Sequence, residues 1–339
     1  MPRTLTRGRL IALVLGGLAI LLVVGALSLF VGAASVSPAE AWAALWDPSR
    51  RAGNPAYEII IQQRLPRVVL GALVGFGLGV AGTAFQAILR NPLADPYTLG
   101  VASGSAVGAS AALALKVSLA VGPFGSVQAA ALLGGGVVTA LIYRLGVVRR
   151  EFRVDALLLG GVTVALVSSS AIVVMRTLSD PHYLVSLDRW LMGGLAAVGL
   201  RDIVSLLPFW LAGCATLLQL AGPYNQLGLG EELAYGRGVD PQSVQRWTFV
   251  AGSLLTAALV AAAGPIGFVG LIVPHAVRRL IGPDHRALLP CAGLASGAFL
   301  IACDTVARTV VAPSEMPVGV VTAVIGGPLF VWILLRRLA

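Results

Sequence analysis

The chain alternates long apolar runs with short polar breaks. Apolar stretches cover residues 10–34, 66–89, 96–115, 125–147, 155–178, 202–221, 244–263, 266–281, 287–303 and 317–335. A helix needs about 20 apolar residues to cross the hydrocarbon layer of a bilayer. The pattern therefore predicts an all-α, polytopic membrane protein with about ten transmembrane helices. Two stretches depart from it. The run IGFVGLIVPHAVRRL, after Gly264-Pro265, is short and broken by Pro274. It reads as a short span or a half-span, the latter requiring protein to cover its freed backbone groups. Leu184–Leu200 contains SLDRWLMGGL, whose Asp188, Arg189 and Trp190 suit a helix lying on the membrane surface. The longest loop runs from Ala33 to Gln63 and no soluble domain is evident, so residues 1–339 read as a single transmembrane domain.

Within the runs, small residues recur at contact spacing. Gly71, Gly75 and Gly79 are four apart, as are Gly100, Gly104 and Gly108, so each triplet falls on one helix face. Lipid provides no hydrophobic drive between helices, and small residues at this spacing let backbones approach closely. The two faces are expected to pack helices or to line a path between them. Asn-Pro-Leu-Ala-Asp-Pro (91–96) joins the two runs in a tight re-entry.

Composition agrees with the periodicity: 57% of the 339 residues are hydrophobic and 12% are charged. A soluble domain is nearer 45–50% apolar and about 25% charged. Arg3, Arg7 and Arg9 precede the first run, as in a signal peptide, but that run exceeds the usual apolar region of about 7–15 residues. It reads as a retained span. The net charge of +9 is explained by arginines flanking spans, with no need for a nucleic-acid partner. With ten spans both termini share a side. That side carries fifteen of the 24 Lys and Arg residues, which places both termini in the cytoplasm.

Several chemistries are excluded or disfavoured. The one lysine, Lys116, sits in LALKVSLA, so the chain has no phosphate-binding Gly-x-x-x-x-Gly-Lys loop. His182, His275 and His285 are scattered, and Cys214, Cys291 and Cys303 show no metal spacing, so neither a metal nor another cofactor is expected on this chain. Its acids fall at span ends or in loops, which weighs against an ion-coupled carrier, the second reading. An integral-membrane enzyme is a distant third, since no catalytic set can be assembled. Asp304 and Arg308, four apart, could pair on one helix face.

The loop Gly230-Glu-Glu-Leu-Ala-Tyr-Gly-Arg-Gly-Val-Asp240 is short, polar and glycine-flanked, a knob projecting from the membrane. In order along the chain, RLPR (64–67), NPLADP, WLMGG, GE-x-x-A, GPIGFVGLIVPH, D-x-x-AR and E-x-PVG-x-x-TA-x-x-G-x-P resemble the permeases of type II ABC importers (FecCD-like). That family carries iron–siderophore complexes, haem and vitamin B12.

The resemblance implies ten helices per subunit, a homodimer with the path on its axis, two ATPase subunits that bind ATP and Mg, and an extracytoplasmic binding protein. It implies residence in a bacterial or archaeal cytoplasmic (inner) membrane, among lipids. By the same resemblance Arg64, Arg67 and Arg308 receive acidic residues of the binding protein. Glu231, Glu232, Ala234 and Gly238, in an element at about 227–240, meet the ATPase, with Arg278, Arg279, His285 and Arg286 beside them. Here the chain has Arg237 where the family often has leucine, and Gly236 is a poor helix former, so this surface differs in detail. Phe152, Arg153, Val154 and Asp155 match a gate at the start of helix 5. Of the three cargoes iron–siderophore is preferred as the commonest. Ser168, Ser169 and Ser170 suit the path for any of them, and haem would call on His182, Tyr183 or Tyr57 as an outside ligand.

Overall fold

The computed structural model describes residues 5–32, 34, 36, 37, 39, 54–117, 125–148, 151–195 and 200–338. Much of the long loop after the first span lies outside them. Helix α1 (Arg7–Phe30) opens where the Thr6 hydroxyl accepts the amide of Arg9. Helix α2 (Leu65–Ile88) is entered through a turn at Pro55–Tyr57 and a π-wound stretch, Glu58–Arg64. Pro66, which has no N–H to donate, is the second residue of α2, just past that stretch. A 3-10 turn (Pro96–Leu99) leads into α3 (Val101–Ala114), and α4 (Ser126–Gly146) follows. A minimal hairpin, β1 (Val147–Val148) and β2 (Glu151–Phe152), turns the chain into α5 (Val154–Leu178).

The second half begins with the amphipathic α6 (Pro181–Leu191) and α7 (Leu200–Gln219), which bends by 46° into α8 (Ala221–Leu227). Then come the short α9 (Glu231–Gly236), α10 (Pro241–Ala263), α11 (Val269–Ile281), α12 (His285–Thr309) and α13 (Val318–Leu338).

Among the described residues six helices are long and apolar enough to cross a membrane, seven if the bent α7–α8 pair is one span. The predicted spans at 96–115 and 266–281 are shorter than expected. Gly100 leaves the helix at φ +73°, so the first keeps only the 14 residues of α3. The second begins after Phe268 and keeps the 13 residues of α11. The surface helix also sits earlier than SLDRWLMGGL suggested. It ends at Leu191, and the Met-Gly-Gly that follows tucks inward, with Gly193 against the carbonyl of Pro265 and Leu195 fully buried.

The glycine faces explain the core. Gly71, Gly75 and Gly79 all face α12: a Cβ on Gly75 would lie 2.7 Å from Gly297 Cα, and one on Gly79 2.7 Å from the Ala292 carbonyl oxygen. Gly104 and Gly108 instead face α4, at the carbonyls of Gly134 and Ala130. Gly100 lies outside the helix, and a Cβ on it would lie 2.8 Å from the Gly161 carbonyl oxygen of α5. The two faces thus do not serve one re-entry; each accommodates a different partner helix. The result is a dense α2–α12 pair, 78% buried in each case over its apolar window, against 6% for α1 and 17% for α5. Leu159, Leu166, Val173 and Leu178 of α5 stay exposed, an apolar surface of the kind that meets lipid or another membrane helix.

Candidate functional site

Because α2 and α12 run antiparallel, they present charged groups at two opposite ends. The first end gathers the arginines of the RLPR and D-x-x-AR motifs. Asp304 sits between two guanidiniums: Oδ1 accepts from Arg67 at 3.0 Å, and Oδ2 lies 2.9 Å from Arg308 Nε. The same Arg67 holds Glu315 with one nitrogen, Nη1 lying 3.0 and 2.8 Å from its two carboxylate oxygens. The expected Asp304–Arg308 pair is thus present, inside a larger network.

Arg64 and Arg308 are placed differently from what docking would require. Arg64 is 5% exposed and donates to the carbonyls of Leu29, at 2.8 Å, and Ala34. Arg308 is 3% exposed and donates to Ser28 Oγ at 2.7 Å and to the Val31 carbonyl at 3.3 Å. Both therefore satisfy unpaired carbonyls at or just beyond the C-terminal end of α1, where a cation is also favoured by the helix dipole. The reason is geometric. Ser28 and Thr305 bond across the two helices, at 2.8 Å between hydroxyls, and bring the end of α1 over the motif arginines. Arg67 alone of the three reaches the surface: it borders a cavity of about 640 Å³ with Asp188, Arg189, Met192, Glu315 and Met316.

The second end carries the glycine-flanked knob. Asp240 caps α10, its carboxylate accepting the amides of Gln242 and Ser243, and Gly230 and Gly238 turn the chain at positive φ on either side of α9. Of the predicted set, Glu231, Glu232 and Gly238 are exposed, whereas Ala234 is fully buried as the root of the knob. Its neighbours in sequence, Leu233 and Tyr235, are 57% and 72% exposed. Sequence reasoning passed over these two apolar side chains, although an i±1 shift on a six-residue helix points to the other face. Arg90, at the end of α2, bonds to Glu231 at 3.1 Å.

Beside the knob, Arg279 and Arg286 are exposed, Arg278 is half-buried against Gln86 at 3.3 Å, and His285 is buried with Nδ1 2.8 Å from Asn225 Oδ1. Asp284 caps α12 and pairs with Arg286 at 2.7 Å; that arginine and the amide of Asn225 hold its carboxyl down at about 2. Asp95, between α2 and α3, is pushed up to about 6 by burial, which outweighs its bond from the Tyr97 amide.

The predicted gate set is divided. Phe152 is buried against Tyr143 and Phe249 of the same chain, with its amide donated to Gln242, so it does not line an opening in this arrangement. Arg153 and Asp155 are exposed and Val154 is partly so. The side chains of His182 and Tyr183 lie outside the described residues. Among the described residues no three His, Cys, Asp or Glu side chains converge on a metal-sized site, and the three cysteines are free and buried.

Comparison with known proteins gives concordant matches over nearly the whole chain. The chain is 43% identical over 274 residues to the cobalamin import system permease protein BtuC of Halobacterium salinarum, covering 81% of this chain and 72% of the relative. It is 37% identical to the hemin transport system permease protein HmuU of Yersinia pestis, with 96% of each chain covered. A solved structure reported as an inward-facing conformation of a metal-chelate type ABC transporter superposes with a TM-score of 0.83 at 31% identity, over 95% of this chain and 98% of that one. With residues 20–336 matching the model of the FecCD transport family as well, the chain belongs to that family of membrane permeases.

Proposed function

We propose that this chain is the transmembrane permease subunit of a type II ABC importer for a bulky metal chelate. It works as a homodimer with two ATPase subunits and an extracytoplasmic binding protein. The observation that carries the reading is the knob at α9: a six-residue helix fixed at its root by Ala234 that presents Leu233, Tyr235, Glu231 and Glu232 outward. Exposed apolar side chains ringed by charge on an otherwise short polar loop mark a protein-docking surface. The knob end faces the cytoplasm in this reading, consistent with the basic residues around it, and the Arg67 end faces outward.

Mechanistically, the chain supplies no ATP site of its own, so energy enters through the knob. ATP must bind two arrangements of the complex with different affinity, or nothing moves. A shift of α9 is passed through its buried root, Ala234, to α10 and from there to α2, and α2 moves with α12 because glycine-to-backbone contacts leave no slack between them. The exposed α5, with Ser169 and Ser170 on its surface, is assigned to the path between the two copies. Iron–siderophore, haem and cobalamin all remain compatible cargoes; the relatives named for cobalamin and hemin favour a planar tetrapyrrole-type chelate as the first one to test.

The test is Glu231→Arg in the purified permease–ATPase complex reconstituted in liposomes. Uptake is expected to fall about tenfold while ATP hydrolysis becomes independent of the binding protein, the loss being within an ordinary coupling free energy of about 1–3 kcal/mol. Unchanged uptake and unchanged coupling would remove the knob from the mechanism.

A further inference from the structure

The three motif arginines differ in what a docking partner could take from them. Arg64 and Arg308 are buried; both donate to backbone carbonyls around the end of α1, and Arg308 also to Ser28 and, through Nε, to Asp304. Arg67 is held from two sides. Its Nη2 bonds to Asp304, a side chain 2% exposed, and its Nη1 bonds to both oxygens of Glu315, a side chain 44% exposed. An incoming carboxylate cannot displace Asp304, which also serves Arg308 and is shut away from solvent. Glu315 is different. It lies between α12 and α13, and it borders the 640 Å³ cavity together with the arginine that it holds. With Nη2 committed to Asp304, Nη1 is the nitrogen left for an outside carboxylate, and Glu315 already holds it with a charge-assisted contact of the kind that carboxylate would make.

We propose that Glu315 is a built-in stand-in for the docking carboxylate. It occupies the open edge of Arg67 in the undocked permease and is displaced when an acidic side chain of the extracytoplasmic binding protein enters the cavity. This rests on the docking reading of Arg67. The charge count supports an exchange: three guanidiniums face two carboxylates, so the cluster keeps a surplus of one positive charge while Glu315 is present. One incoming acid can take its place without leaving Arg67 unpaired. The role of Glu315 is then to set the affinity. It keeps Arg67 paired between encounters, and it makes every docking event compete with an internal partner, so release after delivery is fast.

The experiment measures binding of the importer's extracytoplasmic binding protein to the permease–ATPase complex in nanodiscs, for wild type, R67A, E315Q and R67A/E315Q, at low and high salt. E315Q is expected to tighten binding by about three- to tenfold at low salt, with the gain shrinking as salt rises. R67A is expected to weaken binding by about tenfold or more, and E315Q to change nothing further in its background. No tightening with E315Q, while R67A still weakens, overturns the stand-in and leaves the docking reading intact. Equal tightening with and without Arg67 also overturns it, since Glu315 would then act only through overall charge. An R67A complex that binds as wild type overturns the docking reading itself. If E315Q does not fold, E315A takes its place in the same cycle, since it too removes the competing carboxylate, and its results are read by the same rules.

Discussion

At the Arg67 end the ion pairs are buried and share partners; at the Glu231 end they are partly in solvent and each joins one base to one acid. Asp304 and Arg308 have side chains 2% and 4% exposed and share their partners with Arg67, Ser28 and Val31. Arg90 and Glu231 meet at 3.1 Å with about half of each side chain in solvent. The same α2–α12 pair carries both ends, so the difference lies in the surroundings and not in the scaffold. A buried network of this kind fixes geometry, because every member that moves leaves another unpaired in a low-dielectric region. An exposed pair can break and re-form at little cost, since water takes up both charges. The first end therefore suits a surface that must keep its shape while a partner docks. Under the proposed function, the second suits an element that must shift with each catalytic cycle of a partner ATPase.

The comparison breaks most visibly at Asp304. In Asp304→Ala, Arg67 and Arg308 would face each other without the carboxylate between them. Removing one partner of a buried network costs about 3–5 kcal/mol, and the end of α1 loses the geometry of the arginine that holds it. We expect a lower thermal midpoint and faster protease cleavage near residues 28–34 of the detergent-solubilised permease. A midpoint within one or two degrees of wild type would show that the network is not what fixes this end.

At the other end the matching change is Arg90→Ala. Exposed pairs contribute about 0–1 kcal/mol, so the thermal midpoint is expected to stay close to wild type. The two variants thus differ in stability by several-fold, although each removes one charge from an ion pair. Equal destabilisation by both would erase the distinction between the two ends.

How far this contrast was legible in the sequence differs by feature. The apolar runs place the long helices to within a few residues, because burial in lipid demands a continuous stretch. Gly71, Gly75 and Gly79 signal a close approach but not its partner. Spacing is a property of one helix, and the answer, α12, lies more than 200 residues further on. The break at Gly100 was hidden for a similar reason: a glycine on a four-residue repeat looks the same whether its φ is negative or +73°. Arg64 and Arg308 read as outward charges at span ends. Only the fold shows that α1 ends above them and consumes their donors. On the knob, the motif pointed to Ala234, while its exposed neighbours Leu233 and Tyr235 carry the surface, since one residue on a helix turns the side chain by about 100°.

The smallest expected effect concerns Asp284, a carboxylate that caps a helix while staying partly in solvent. Asp284 opens α12 at the Glu231 end, accepting from the amide of Arg286, its guanidinium and the amide of Asn225. Those bonds hold its carboxyl at about 2, below the ordinary value of 3.8. A group whose folded pKa is depressed stabilises the fold above its unfolded pKa, and that contribution is lost as pH falls from about 3.8 through about 2. Asp284→Asn keeps an N-cap acceptor of comparable strength and removes the charge. The thermal midpoints of wild type and this variant should therefore differ by a small, constant amount from pH 8 to pH 5, and converge as pH drops below 4. If they instead diverge on acidification, charge at this cap opposes the fold, and the bond from Arg286 holds only the local turn. A constant difference down to pH 3 would assign the effect to shape rather than charge. The cap of α12 would then rest on hydrogen bonding alone, and the Asp284–Arg286 ion pair would have no part in stability.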